Sequence, residues 1–306
     1  MKDREQRGTR PERCRKEKNM SNSISSYTDS QIMKALLTRN FSEIGRRFED
    51  DQITNIKAAA FFNANNLDEV VLPAVTTIGP RAFQESGLST LSLTWGEITS
   101  IGSNAFHLGF NALPQSLTLP KLTALGYGVF TGTEETKNTR LTSISMPLWT
   151  GSSPTETGIV SIMDGAFEYC SALTSVNLPE LQTIRSNTFR YCSALEEVKL
   201  PKVTGISNGA FAYCIHLRKL EIGGAIKSIT TAFLTGTSAF EALILSGITT
   251  VPTLSSAAFN NTSIGGGTAY VYVPRAYENT IKVSTTWSNY ANQIRAIEDY
   301  PSICNL

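Results

Sequence analysis

Residues 162–183 read IMDGAFEYCSALTSVNLPELQT, residues 184–205 read IRSNTFRYCSALEEVKLPKVTG, and residues 206–222 continue with ISNGAFAYCIHLRKLEI. The three segments are copies of one 22-residue template, I-x-x-x-A-F-x-x-C-x-x-L-x-x-V-x-L-P-x-x-T-x. Its phenylalanine recurs along the chain as Phe61, Phe83, Phe106, Phe130, Phe167, Phe189, Phe211, Phe233 and Phe259. The successive spacings are 22, 23, 24, 37, 22, 22, 22 and 26. A fixed period of this size is the signature of a stacked repeat, in which no single copy encloses a core and neighbouring copies do.

Within each copy, L-x-x-V-x-L-P alternates apolar and polar residues, as in Glu197-Val198-Lys199-Leu200. Alternation over a β-branched residue predicts a short strand with one buried face. The proline that follows (Pro73, Pro120, Pro147, Pro179, Pro201, Pro274) has no N–H for a ladder and ends the strand. The Ile and Ala-Phe then pack behind the strand, on the return side of the coil. Stacking puts identical residues above one another, so the phenylalanines form a column.

These copies resemble the BspA-type leucine-rich repeat, with its I-G-x-x-A-F and C-x-x-L-x-x-I/V-x-L-P signatures. Ile78-Gly79, Ile101-Gly102, Ala82-Phe83 and Cys192-Ser193-Ala194-Leu195 match it literally, and the resemblance covers residues 53–274. The ending Tyr270-Val271-Tyr272-Val273-Pro274 with Trp287-Ser288-Asn289-Tyr290-Ala291 is also similar to that of many members. The resemblance implies an α/β-type repeat solenoid, a leucine-rich repeat with a parallel β-sheet on one face, about nine coils of roughly 22 residues and short helical caps. It also implies a bacterial surface, secreted or phage-associated protein acting in adhesion and protein binding. The asparagine ladder of classical leucine-rich repeats is missing, and the phenylalanine column is expected to fill its space.

Four segments are expected: a disordered basic tail over 1–19, an N-terminal cap over 20–52, the solenoid over 53–274, and a C-terminal cap over 275–306. The tail holds eight Lys/Arg and four Asp/Glu, whereas the whole chain carries a net charge of +1. Met20 is an alternative start, and neither start opens on the basic-then-apolar pattern of a signal peptide. In the N-terminal cap, Thr28-x-x-Gln31 forms a capping box ahead of a short amphipathic helix, followed by a half-strand at Phe41–Ile44. In the C-terminal cap, a helix over 275–283 follows Pro274, and Trp287, Tyr290, Ile294 and Ile297 cover the last coil.

The 37-residue interval splits into five extra residues within Gly132–Arg140 and ten around Thr150–Pro154, both loops at the ends of one strand. They are tolerated insertions or binding loops. The coil near Phe233 is one residue short, which predicts a local kink.

Composition limits the chemistry. Apolar residues make up 41% and charged residues 17% of the 306 residues, which excludes wholesale disorder. No stretch reaches the roughly 20 apolar residues of a membrane span. The near-zero net charge gives no field for specific nucleic-acid binding. The two histidines, His107 and His216, fall in different coils, and no hydrolase, zinc or phosphate-loop motif is present. The reading is therefore of a non-enzymatic protein with no cofactor and no metal. Cys170, Cys192 and Cys214 share one repeat position. Parallel side chains about 4.8 Å apart suit neither a disulfide nor a tetrahedral metal site, so reduced, buried thiols are expected.

The outward residues of the strands are the candidate site: Ser143 and Ser145, Ser175 and Asn177, Glu197 and Lys199, Lys219 and Glu221, Tyr270 and Tyr272. Short hydroxyls occupy the middle of this face. Glu197 should sit beside Lys219 and Lys199 beside Glu221. Tyr270 and Tyr272 are binding anchors, or else the C-terminal segment folds back and Trp287 or Tyr290 buries them. The resulting expectation is a module that binds a protein or glycan through this face and the insertion loops. Phage tail accessory or receptor-binding protein and intracellular scaffold remain the alternatives.

Overall fold

The computed structural model describes residues 47–65, 67–147 and 164–304. The expected helix and half-strand within 20–46, the basic tail, and the insertion around Thr150–Pro154 lie outside these residues. The chain winds into a parallel-strand solenoid of about ten turns with few helices.

Numbered in chain order, ten strands stack on the broad face: β1 (Arg47–Glu49), β3 (Glu69–Leu72), β5 (Thr90–Leu93), β7 (Ser116–Thr118), β9 (Ser143–Ser145), β10 (Ser175–Asn177), β12 (Glu197–Leu200), β14 (Lys219–Ile222), β16 (Ala242–Ile244) and β18 (Tyr270–Val273). All pairings are parallel and in register, so Val70 lies beside Leu91 and Val198 beside Leu220. The hydrogen-bonded ladder falls into three groups, β1–β3–β5, β7–β9–β10 and β12–β14–β16–β18. β1 adds a coil ahead of the first phenylalanine, three residues beyond the half-strand expected at Phe41–Ile44.

A second ladder was not anticipated. Among the described residues, the Ile or Leu that opens a template copy sits in a two-residue strand: β2 (Asn55–Ile56), β4 (Thr77–Ile78), β6 (Ser100–Ile101), β8 (Ala124–Leu125), β11 (Thr183–Ile184), β13 (Gly205–Ile206), β15 (Ser228–Ile229) and β17 (Thr253–Leu254). Two residues are too few for a periodicity to declare itself.

Between the two ladders runs the phenylalanine column. From Phe61 to Phe211 the rings stack face to face, with centroids 5.1–5.8 Å apart and planes within 17°. Phe189 is fully buried between Phe167 and Phe211. The residue two before the phenylalanine is left-handed in seven coils, including Gly128, Gly165 and Gly209, and Asn104 and Asn187. This backbone conformation disfavours most side chains, which accounts for the Gly and Asn recurring at that template position.

The C-terminal segment closes the solenoid. Helix α1 (Arg275–Val283) follows Pro274. Trp287 is then buried against Phe259, with its indole N–H donated to the Pro252 carbonyl at 2.7 Å. Tyr290 meets the same phenylalanine edge-on. Strand β19 (Ile294–Ala296) pairs with β18 and extends the broad sheet, a strand the repeat template does not contain.

Candidate functional site

The broad face is built by alternation. Each strand turns its apolar residues inward and its intervening residues outward. From β5 to β10 every outward residue is small and polar: Thr90 and Ser92, Ser116 and Thr118, Ser143 and Ser145, Ser175 and Asn177. From β7 to β10 register brings them into two columns. The Ser143 hydroxyl bonds the Ser116 oxygen at 2.7 Å, and the Asn177 amide donates to Ser145 Oγ at 2.9 Å.

Next along the face the charges cross. Glu197 is beside Lys219 and Lys199 beside Glu221. The Lys199–Glu221 pair closes to 3.2 Å, whereas Lys219–Glu197 stands at 4.0 Å. Glu221 is buried. Its Oε1 accepts the Ser246 hydroxyl, and its Oε2 has the Lys199 ammonium as its counter-charge and no hydrogen bond. Arg218 lies at the rim, within ion-pair distance of Glu196 and Glu197.

At the end of the face, of the two outcomes left open for the tyrosines, the C-terminal segment folds back over them, with other covering residues than expected. Tyr270 and Tyr272 point to the outer side, as alternation requires. Tyr272, however, is 3% exposed and forms a small second core with Ala242 and Ile244. The cover is supplied by Ile297, Tyr300, Ile303 and Cys304, not by Trp287 or Tyr290. Tyr300 meets the Tyr272 ring edge-on at 5.4 Å, and the Arg295 guanidinium lies over Tyr270 at 4.5 Å. Burial, with Cys304 and Tyr300 beside it, pushes the Tyr272 phenol above its ordinary range. The physical reason is area. A strip of Ala, Ile and Tyr at the end of a sheet is an apolar patch, and the C-terminal segment is tethered close enough to bury it. Ala242, Ile244 and Tyr272 therefore leave the open surface, which runs from β3 to β14.

The five-residue insertion is not a free loop. Asn138 is fully buried. Its amide donates to the Phe130 carbonyl at 3.2 Å, and its side-chain oxygen accepts the N–H groups of Arg140 and Leu141.

The three repeat cysteines are buried thiols. Each donates to the phenylalanine carbonyl of the preceding coil: Cys170 to Phe130, Cys192 to Phe167 and Cys214 to Phe189, at 3.4, 3.1 and 3.0 Å. They are thus hydrogen-bonding links between coils as well as apolar fillers. Burial raises all three pKa values, that of Cys214 to about 12, so none is a thiolate nucleophile near neutral pH. Each histidine makes an inter-coil contact to a backbone carbonyl, His107 to Thr131 and His216 to Ser193. No cluster of three metal-ligating side chains exists among the described residues.

One column escaped the sequence reading. Tyr169, Tyr191 and Tyr213 stack with centroids 4.4 and 4.7 Å apart, and Arg190 sits over Tyr191 while paired to Glu168. All three tyrosines are left-handed. The signal was the Tyr-Cys dipeptide repeated at Tyr169, Tyr191 and Tyr213, which the template absorbed as an unspecified position.

The family model for the BspA type leucine rich repeat region matches six copies, over residues 33–147 and 160–272. The chain belongs to the BspA-type leucine-rich repeat family. Solved structures similar to this BspA-type chain include the T. pallidum leucine rich repeat protein TpLRR, at 22% identity and a TM-score of 0.43 over 57% of this chain and 79% of that one. A leucine rich cell surface protein from Faecalibacterium prausnitzii is 22% identical over 82% of this chain and 78% of its own, at a TM-score of 0.34. The pneumococcal vaccine antigen PcpA is 18% identical over 82% and 76%, at 0.38. No curated protein matches the sequence. BspA-type repeats form protein-interaction or surface-binding modules and are typically non-enzymatic. Among the described residues no helix is long and apolar enough to cross a membrane.

Proposed function

We propose that the protein is a binding and adhesion module that engages a protein or glycan through the open part of the broad sheet, at a bacterial surface or after secretion. The observation that supports this most directly is the uneven cover of that face. The C-terminal segment buries the apolar strands β16 and β18, and leaves the hydroxyl columns of β5–β10 and the crossed charges of β12 and β14 on the outside. Ser143, Ser145, Ser175, Asn177, Glu197, Lys199 and Lys219 lie on this strip, and Glu221 is tucked at its margin.

Hydroxyls offer both donors and acceptors, and the strip repeats them at the strand pitch of about 4.8 Å. That regularity suits an extended ligand laid across the strands, whose groups recur at a similar interval.

The test is a double variant, Ser143→Arg with Ser175→Arg, in the full chain. Wild type and variant are compared on a printed glycan array and on a panel of extracellular matrix proteins. Capture by the wild type that is lost in the variant, with unchanged melting temperature, supports the reading. Equal capture by both would remove the broad face from the site.

A further inference from the structure

The stacking is dislocated at one coil. Ile229-Thr230-Thr231-Ala232-Phe233 has one residue fewer than Ile206-Ser207-Asn208-Gly209-Ala210-Phe211. The left-handed residue, two before the phenylalanine in the seven preceding coils, moves to Ala232, directly before it. Phe211 and Phe233 no longer stack and meet edge-on, at 6.3 Å and 80°. The short ladder breaks at the same level. β11 pairs with β13 and β15 with β17, but β13 and β15 are not bridged.

Backbone bonds are missing there too. In neighbouring coils the N–H after the short strand reaches the Ile carbonyl of the coil before, as Gly79 does to Ile56 and Ser207 to Ile184. At Ile206 that carbonyl is taken by the Thr230 hydroxyl, at 3.2 Å. The corner N–H of Asn187 bonds the Asn208 carbonyl, whereas the equivalent N–H of Gly209 has no partner among the described residues.

A shallow, open cleft of about 370 Å³ lies at this dislocation. That is within the size range of small-molecule sites. Its walls are Asn208, Ser228, Thr230, Thr231, Thr253 and Ser255, and beneath them lie Ile229 and Leu254, whose side chains are buried in the core. No charged side chain lines it.

Donor and acceptor accounting narrows the ligand. The hydroxyls of Thr230 and Thr253 already donate to backbone carbonyls, of Ile206 and Lys227, and keep lone pairs to accept. Thr231 and Ser255 share one hydrogen bond, and Ser255 Oγ also accepts the Ala257 N–H. The Ser228 hydroxyl and the Asn208 amide have no protein partner among the described residues. A site rich in acceptors, with a few donors and no charge, fits a neutral molecule carrying several O–H donors. An anion would find no cation, and a metal ion no carboxylate.

We propose that this cleft binds one neutral sugar unit, free or at the end of a glycan chain. The site is separate from the broad face and does not depend on that face being a binding surface.

The experiment is saturation-transfer NMR and calorimetry on the full chain. The probes are glucose, galactose, mannose and N-acetylglucosamine, each offered free and as the terminal unit of a disaccharide. At least one sugar should receive transfer. A response to the free sugars assigns a monosaccharide ligand, and a response confined to the disaccharides assigns a chain end. Asn208→Ala should weaken binding about fivefold, the loss of one hydrogen bond. Ser228→Phe, at an exposed position, should fill the cleft and abolish binding without lowering the melting temperature. The pair Ser143→Arg and Ser175→Arg should leave it unchanged. The proposal is overturned by no transfer from any of the probes at millimolar concentration. It is also overturned by binding that survives Ser228→Phe, or by binding that disappears with the broad-face variant and not with Asn208→Ala.

Discussion

Replacing Phe189 by Ala tests the physical basis of the stack. The ring is fully buried and lies 5.4 Å from Phe167 and 5.2 Å from Phe211, nearly parallel to both. Truncating a buried Phe to Ala costs about 3–5 kcal/mol, and the cost rises where the surroundings cannot collapse into the space. Collapse is blocked here. The backbone on either side is held in register by Phe167 N–H to the Thr188 carbonyl and Phe189 N–H to the Ala210 carbonyl, at 3.0 and 2.9 Å. Two stacked contacts are also lost, each worth about 0.5–1.5 kcal/mol in part beyond burial. The expected loss is therefore at the upper end, about 4–5 kcal/mol. Urea unfolding followed by circular dichroism reads it, and hydrogen exchange locates it. Because each coil touches only its neighbours, protection should fall in the coils around Phe189 and persist near Phe83. A loss below about 1 kcal/mol, or a uniform fall in protection along the chain, would refute the column as the main cohesive element.

Substituting Tyr270 and Tyr272 together by Ser should lower the melting temperature clearly, because Tyr272 is a core residue beneath Tyr300 and Ile303; an unchanged melting curve would contradict that burial. The thiols make stability fall at high pH. Cys214 keeps its proton up to about pH 12 in the folded chain, while the unfolded chain releases it near 9, so stability is complete below about pH 8.5. Burial likewise holds the Cys170 and Cys192 pKa values above their unfolded ones, so stability falls as pH rises above about 9, and changing all three repeat cysteines to Ala should flatten the decline. In native protein Cys170, Cys192 and Cys214 should resist alkylation, and after unfolding without reductant all three should be labelled as free thiols. Lys199→Ala should cost about 1–3 kcal/mol by stripping the counter-charge from the buried Glu221, and adding Glu221→Gln should recover part of it; a neutral single variant would show the pair to be solvated.

Much of this architecture was legible because one template recurs. The spacing of Phe167, Phe189 and Phe211 located the column, and the Val-x-Leu-Pro endings located the broad strands and their outward residues. What stayed hidden was either too short or not periodic. β15 is only Ser228–Ile229, and two residues carry no pattern. β19 and the cover over Tyr272 come from residues beyond the repeat, whose place depends on tertiary packing alone. The sequence left both outcomes open for the tyrosines, and named Trp287 and Tyr290 as the cover because they were the conspicuous aromatics. Their rings were instead needed at Phe259, where the last coil would otherwise end on an uncovered phenylalanine. The missing residue before Phe233 announced a disturbance. Only the structure shows that it unstacks a ring pair, interrupts the short ladder and opens a cleft.

The parallel register of β12 with β14, and of the other bridged broad strands, also governs how the molecule bears load. A tether pulling along the solenoid axis draws the outermost coil away from the next, and opens its ladder bonds a few at a time instead of shearing them together. Each coil freed in this way releases about 22 residues, or roughly 75 Å of slack chain. A chain pulled in this way would lengthen in instalments, with the remaining coils still wound and still presenting their outer surface.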